Sequence, residues 1–153
     1  MAVRKIRIDG DPILRQPTKP LEPKDLLTEG FRQLVADMVE TMREAKGVGI
    51  AAPQVGEGCR LCIVDSHDGP MALVNPVIIQ RSWKMTKGEE GCLSIPGQYG
   101  VVKRAKSVKV KAQNAAGEPI LFIAKDFLAR VCQHEIDHLD GILYPDRIKD
   151  HNP

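Results

Sequence analysis

His134-Glu135-Ile136-Asp137-His138 is the stretch of sequence that decides the fold and the chemistry of this chain. It follows the H-E-x-x-H arrangement, in which two imidazoles one helical turn apart bind one divalent cation and the glutamate beside them carries protons. Apolar Phe127, Leu128 and Val131 precede it at helical spacing, which predicts a helix over about residues 125–139. Spacings of three and four residues return to one face, so the histidines should turn inward rather than lie in solvent beside a hydrated glutamate.

A catalytic metal of this kind takes three protein ligands and leaves one position for water. One known extension of the pattern places the third ligand on a later histidine, but Tyr144 stands at that position although the intervening Gly141 fits. Asp140, Asp146 and His151 are weak substitutes. A cysteine earlier in the chain is the better candidate, because thiolate binds borderline-soft divalent ions tightly.

Among the four cysteines, Cys92 fits this role best. Cys132 lies two residues before His134, about 200° round the helix, so it should point away from the metal into the core. The string Cys59-Arg60-Leu61-Cys62 resembles half a zinc knuckle, but it has no partner pair and sits in a strand-like run, which favours buried packing. Glycine and proline flank Cys92 within residues 88–97, as suits a backbone that comes close to a ligand.

The remaining patterns predict an α+β fold, with short, mostly antiparallel strands packed around the metal-binding helix. Prolines and a glycine interrupt residues 1–24 and predict an arm of extended chain and turns over the surface. Apolar residues at helical spacing predict a second, amphipathic helix over roughly residues 29–45, packed outside, which ends at a run of small residues, 47–56. Strands are predicted at residues 60–65, 71–74, 77–82, 108–112 and 120–123.

The composition is that of a folded enzyme or binding module, with 42% hydrophobic and 27% charged residues, and residues 1–153 are predicted to form one domain. The net charge is +2 with scattered basic residues, so no electrostatic field points to nucleic acid or an anionic membrane. Residues 1–7 lack the apolar part of a signal peptide, and no stretch approaches the roughly eighteen apolar residues of a membrane span. A soluble cytoplasmic protein is expected, and its oligomeric state stays open.

Three segments, in this order, resemble one family, the peptide deformylases: Gly47-Val48-Gly49-Ile50-Ala51-Ala52-Pro53-Gln54, Glu90-Gly91-Cys92-Leu93-Ser94 and His134-Glu135-Ile136-Asp137-His138-Leu139-Asp140-Gly141. The likeness extends to residues 10–15 and to Asn75-Pro76, so it covers most of the chain. The resemblance implies removal of formate from the N-formyl-methionine that begins newly made bacterial or organellar proteins. Its partners would then be N-formyl-methionyl nascent peptides near the ribosome exit.

The resemblance also implies roles for the metal-site residues. Cys92, His134 and His138 would hold the metal, and Glu135 would be the acid–base group. This agrees with physical chemistry, because a metal lowers the pKa of bound water and a nearby carboxylate can take the proton and pass it to the leaving amine. Ligand chemistry alone favours zinc, whereas the resemblance implies iron(II) in the cell, with zinc, nickel or cobalt as substitutes.

Further residues are expected to bind the substrate. The resemblance implies that the Gln54 amide and the Leu93 backbone N–H bind the developing oxyanion, as suits donors that do not titrate. Gly49 would let the substrate backbone pair with its segment as an added strand.

The walls of the methionine pocket are expected to come from Val48, Phe127 and Val131, for which simple core packing is an equal alternative. Close to the ligand segment, Glu90 is predicted to pair with Arg104.

Two other functions stay open on the sequence. One is a different metal-dependent amidase or peptidase with the same three ligands, against which Gln54 and Cys92 argue. The other is a noncatalytic module in which the ion only stabilises the fold. Glu135 beside a three-ligand site argues for an open coordination position, and therefore for catalysis.

Overall fold

The computed structural model describes residues 2–149, so the ligand candidate His151 lies outside the described residues. The model confirms the α+β class. Its helices and strands are, in chain order, α1 (Glu29–Glu44), β1 (Gly49–Ala51), β2 (Leu61–Ser66), β3 (Gly69–Arg81), β4 (Met85–Cys92), β5 (Ile95–Ala105), β6 (Ser107–Gln113), β7 (Pro119–Lys125), α2 (Asp126–Leu139) and α3 (Tyr144–Lys149). Among the described residues, no helix has the length and apolarity needed to cross a membrane.

A sheet of five strands, in the order β1-β2-β3-β6-β7, separates α1 from α2, and every neighbouring pair of its strands is antiparallel. Strand β2 shows why both faces are covered. Its side chains alternate between the faces, and Leu61 and Ile63 join the apolar cluster under α1, whereas Cys62 and Val64 join the cluster under α2. All four are fully buried, so the sheet is the shared middle layer of two cores.

Helix α1 matches the amphipathic helix predicted over residues 29–45. Thr28 caps its first turn, because the Thr28 hydroxyl accepts a hydrogen bond of 3.1 Å from the Phe31 N–H. The apolar stripe packs against β1 and β2, on the sheet face opposite α2, and its buried members are Phe31, Leu34, Met38 and Met42.

Strand β3 corrects the prediction of separate strands at residues 71–74 and 77–82. Asn75 and Pro76 suggested a break, but the chain continues as one strand, with a shift of register against β6 between Val74 and Val77. Asn75 adopts a positive φ of 51°, and its side-chain amide exchanges two 2.8 Å hydrogen bonds with the backbone of Leu21. The irregularity therefore fastens the N-terminal arm to the sheet.

Strands β4 and β5 form a separate two-stranded antiparallel sheet that the sequence patterns did not predict. The inward positions of this hairpin include Glu90 and Arg104, which are 7% and 4% exposed. Charged residues at buried positions hide the alternation of apolar and polar residues by which a strand is recognised. Cys92 is the last residue of strand β4.

The N-terminal arm runs over the protein as predicted, and one of its turns is a 3-10 turn at Pro12–Arg15. The Arg7 N–H donates to the Gln54 carbonyl at 2.7 Å, and the Asp9 N–H donates to the Ser94 carbonyl at 2.8 Å. The arm thus ties together two segments that reach the metal centre from different parts of the fold.

Helix α2 agrees within one residue with the predicted range of 125–139. Gly141 follows it with a φ of 77°, and a Cβ there would come within 2.6 Å of the Arg15 carbonyl oxygen. Glycine is therefore required where the arm crosses the end of the helix. The short helix α3 comes next, which the sequence patterns did not predict.

Candidate metal centre

Cys92, His134 and His138 meet at one point between the end of β4 and the buried side of α2. One ligand atom from each lies within 4.8 Å of the other two, and Cys92 Sγ is 3.3 Å from His138 Nε2. His138 is 1% exposed and His134 is mostly buried, so both histidines turn inward as predicted. Phe127 does not share their burial, because it is 64% exposed at the start of the helix.

The other cysteines lie away from this group. Cys62 and Cys132 are fully buried in the core between the sheet and α2, as expected for packing thiols. Burial raises the pKa of Cys132 to about 12 and that of Cys59 to about 11, and it raises the pKa of Cys62 well above its ordinary value. These three side chains therefore remain protonated thiols at neutral pH.

A buried carboxylate, Glu90, orients the first histidine. Glu90 Oε1 is 2.8 Å from His134 Nδ1, so Nε2 is the ring nitrogen of His134 that can bind a metal. Arg104 donates to both oxygens of Glu90 at 2.9 Å, so the predicted ion pair is present, and it is buried. Burial opposes the ionisation of Glu90, but the hydrogen bonds from His134 and Arg104 outweigh it and hold the pKa of Glu90 well below its usual range.

The two histidines differ in their electrostatic surroundings. Burial lowers the pKa of His138 far below its ordinary value, so its ring is neutral, which is the form that binds metals. Burial also acts to lower the pKa of His134, but hydrogen bonds with Cys92 and Glu90 raise it to about 10. The raised pKa of His134 reflects negative charge around the ring, which a divalent cation would neutralise as well as a proton does.

Glu135 lies beside the ligands with one oxygen unpaired. It is 5% exposed, its Oε2 atom is fully buried, and that atom has no hydrogen-bond partner within residues 2–149. Burial raises the pKa of Glu135 to about 7. A buried oxygen without a partner, next to one sulfur and two imidazole ligands, fits a divalent transition metal or zinc together with its water.

The geometry orients the amide of Gln54. Its Oε1 accepts a hydrogen bond of 2.9 Å from the Ala51 N–H, which directs the NH2 group towards the metal site. Gln54 Nε2 is 3.1 Å from Ser94 Oγ and 3.6 Å from Cys92 Sγ. Because Gln54 is 1% exposed, its donors are held in place without competition from bulk water.

A cleft of about 540 Å³ opens over the ligand group. Every site residue predicted from the sequence except His138 lines this cleft: Val48, Gly49, Gln54, Cys92, Leu93, Phe127, Val131, His134 and Glu135. His138 lies behind them. Val131 also belongs to the core under α2, so packing and lining the cleft are not exclusive for this residue.

Gly49 has a steric reason to be glycine. A Cβ on Gly49 would come within 2.8 Å of both Cγ and Oε1 of Glu135. The β1 backbone therefore packs directly against the acid–base candidate, and any side chain there would displace it.

Sequence reasoning missed three polar residues around the ligands. Ser94 is fully buried against Gln54, and Asp137 accepts a hydrogen bond of 2.6 Å from Arg104. Arg130 lines the cleft and donates to Glu90 at 2.7 Å. A signal for Arg130 was available, because it lies four residues before His134 and therefore on the same face of the helix.

Comparisons with known proteins agree with this geometry. A family model described as polypeptide deformylase matches residues 3–153. A peptide deformylase of Dictyoglomus thermophilum is 49% identical over 145 residues, covering 95% of this chain and 92% of the relative. One from Heliobacterium modesticaldum is 46% identical over 153 residues, covering 100% of this chain and 99% of the relative.

Solved structures give the same answer. The actinonin-bound crystal structure of class I type b peptide deformylase from Acinetobacter baumannii matches with a TM-score of 0.92 and 42% identity, covering 96% of this chain and 99% of that one. The Met-Ala-Ser-bound structure of that deformylase matches with a TM-score of 0.92 and 40% identity, covering 95% and 98%. On the family model and these relatives, the chain belongs to the peptide deformylase family.

Proposed function

We propose that this chain removes the formyl group from the N-formyl-methionine of newly synthesised polypeptides and releases formate. The observation that carries the proposal is the convergence of Cys92, His134 and His138, with the unpaired oxygen of Glu135 beside them. A site whose ion only stabilised the fold would not need, beside its three ligands, a buried carboxylate oxygen that lacks a partner among the described residues.

In this proposal the ion would be held by Cys92, His134 and His138. The ion would be iron(II) in the cell, with zinc, nickel or cobalt as substitutes. When bound, the ion supplies Lewis acidity that lowers the pKa of water towards neutrality. Glu135 accepts a proton at Oε2, the buried oxygen that has no partner among the described residues, and returns it to the leaving amine.

The oxyanion that develops on the formyl group is stabilised by the Gln54 NH2 group and the Leu93 backbone N–H. Support for Gln54 comes from its orientation, because its own carbonyl is bound to Ala51 and its donors face Cys92. Leu93 follows Cys92 at the turn between β4 and β5 and lines the cleft. Neither donor changes charge during the reaction, so both are ready before charge develops.

The methionine side chain lies between Val48, Phe127 and Val131. Val48 and Phe127 are 44% and 64% exposed at the mouth, whereas Val131 is 5% exposed in the interior. Strand β1 is at the edge of its sheet, so Gly49 offers backbone hydrogen-bonding groups to which a peptide can add as a further strand. Such pairing favours peptides over free amino acids, as expected of an enzyme that acts in the cytoplasm on nascent chains near the ribosome exit.

The test uses protein purified without oxygen and reconstituted with iron(II). Formate release is measured from formyl-Met-Ala-Ser, and cleavage of acetyl-Met-Ala-Ser and of the internal peptide bonds is measured in parallel. Formate release alone is the expected result. No formate release would refute the proposal, and equal cleavage of the acetyl peptide or of peptide bonds would indicate a general amidase or peptidase.

Glu135→Gln separates catalysis from metal binding. The variant should still bind one metal ion while turnover falls by about 100-fold or more, since proton transfer by a positioned group contributes about that much. An unchanged rate in this variant would remove Glu135 from the mechanism.

A further inference from the structure

Arg130 is a cleft residue whose guanidinium is turned away from solvent. It lies on α2 one turn before His134, and its side chain is 11% exposed. Nη1 donates to Glu90 Oε2 at 2.7 Å and to the Val102 carbonyl at 2.9 Å. Nη2 donates to the Thr86 carbonyl at 2.9 Å and to its hydroxyl at 3.2 Å. The guanidinium therefore joins α2 to both strands of the β4–β5 hairpin.

Gly88 provides the space for this guanidinium. A Cβ on Gly88 would lie 2.9 Å from both Cζ and Nε of Arg130 and 3.1 Å from Nη2. Any larger residue would push the guanidinium off the acceptors that hold it. The φ of Gly88 is not in the left-handed region, so room for Arg130, rather than backbone conformation, accounts for the glycine.

Glu90 links Arg130 to the metal centre. Its Oε2 accepts hydrogen bonds from Arg130 and Arg104, and its Oε1 accepts from Arg104 while it contacts His134 Nδ1. A carboxylate has about four acceptor positions, so this one is filled. With all its positions occupied, Glu90 has one orientation, and the ring of His134 takes its orientation from it.

We propose that Arg130, admitted by Gly88, is a positioning residue that fixes Glu90 and, through it, the orientation of His134 at the metal centre. The inference rests on the proposed metal centre but not on the substrate. Loss of the contact between Arg130 and Glu90 should therefore speed the release of the metal ion even when no peptide is present.

The test compares zinc-loaded wild-type protein with Arg130→Ala, Gly88→Ala and the double variant. Gly30→Ala and Arg32→Ala are matched controls, because a Cβ on Gly30 meets nothing within 4 Å and Arg32 is exposed on α1. Two properties are measured: the rate at which a chelator removes zinc, and the Nδ1–H resonance of His134 in nitrogen-edited NMR spectra. A zinc stoichiometry of one that is lost in Cys92→Ala verifies the metal centre separately.

Each single variant should lose zinc about tenfold faster than wild type, in the range known for groups that support metal ligands, and should shift the His134 resonance. The controls should do neither. The double variant should match Arg130→Ala, because the methyl group that Gly88→Ala introduces meets no guanidinium once Arg130 is gone. If Arg130→Ala does not fold, Gly88→Ala decides the question alone.

Wild-type zinc retention together with a wild-type His134 resonance, in either folded single variant, would overturn the proposal. An effect of Gly88→Ala that persists undiminished in the Arg130→Ala background would also overturn it, because the glycine would then act independently of the arginine.

Discussion

Glu135→Gln should make the metal-free protein more stable at neutral and alkaline pH, even though it removes turnover. Glu135 is buried beside Gly49, and one of its oxygens has no partner among the described residues. Folding therefore moves a carboxylate from water into a site that disfavours its charge. Glutamine has nearly the same shape and never has to ionise, so it avoids this cost.

The size of the effect follows from the pKa of Glu135, which burial raises from 4.5 to about 7. Below about pH 4.5 the Glu135 carboxyl is protonated in both the folded and the unfolded chain, so its burial costs little there, and stability is lost as the pH rises from 4.5 through 7. One pH unit corresponds to about 1.4 kcal/mol, so ionised Glu135 costs about 3 kcal/mol. The variant and the wild type should therefore differ little at pH 4 and by about 3 kcal/mol at pH 8.

Urea unfolding of metal-free protein between pH 4 and pH 8, followed by circular dichroism, measures this difference. Glu44→Gln is the control, because Glu44 is exposed on α1 and its substitution should leave the pH profile unchanged. A stability difference between Glu135→Gln and wild type that does not grow with pH would refute the reasoning, as would a variant less stable than wild type at pH 8. Measurements without metal are essential, since a bound cation would offset the cost of the carboxylate charge.

Other predictions concern the cleft. Gly49→Ala should lower kcat about tenfold or more without unfolding the protein, because its Cβ would displace the Glu135 carboxylate, and steady-state kinetics against Gly30→Ala check this. Gln54→Glu should lower kcat by about 100-fold while metal content stays constant, because it keeps the acceptor for Ala51 but loses the oxyanion donors; an unchanged kcat would exclude Gln54. Peroxide should oxidise Cys92 before Cys132 in metal-free protein, because Cys92 lines the cleft whereas Cys132 is fully buried. Peptide mass spectrometry measures the order, and oxidation of Cys132 first would contradict the prediction.

The elements that sequence predicted well are those whose pattern is local. Helices α1 and α2 each carry an apolar stripe at helical spacing, and their observed bounds agree with the predictions within one residue. The group of Cys92, His134 and His138 was also predicted, because the spacing of the histidines fixes one side of the site and elimination left a single suitable cysteine. The choice of Cys92 rested on ligand chemistry, because the periodicity of apolar residues does not identify a metal ligand.

The β4–β5 hairpin was missed because its inward side is ionic. An alternating pattern indicates a strand when one face is apolar, but Glu90 and Arg104 are buried on this one, and they neutralise each other only after folding. The break predicted near Asn75 was wrong for a related reason. The Asn75 side chain forms hydrogen bonds with the backbone of Leu21, which is distant in sequence, and the residues around Asn75 do not predict that contact.

Arg104 explains why buried charge is useful in this fold. It bonds Glu90, on the strand that carries Cys92, and also Asp137, on the helix that carries both histidines. Replacing such buried ion pairs with apolar residues often leaves the free energy of unfolding unchanged, so stability alone does not explain why they are present. Apolar contacts tolerate sliding, whereas charged hydrogen bonds fix direction. The candidate ligands lie on β4 and on α2, and the Arg104 guanidinium fixes the position of β4 relative to α2 without the help of a bound ion.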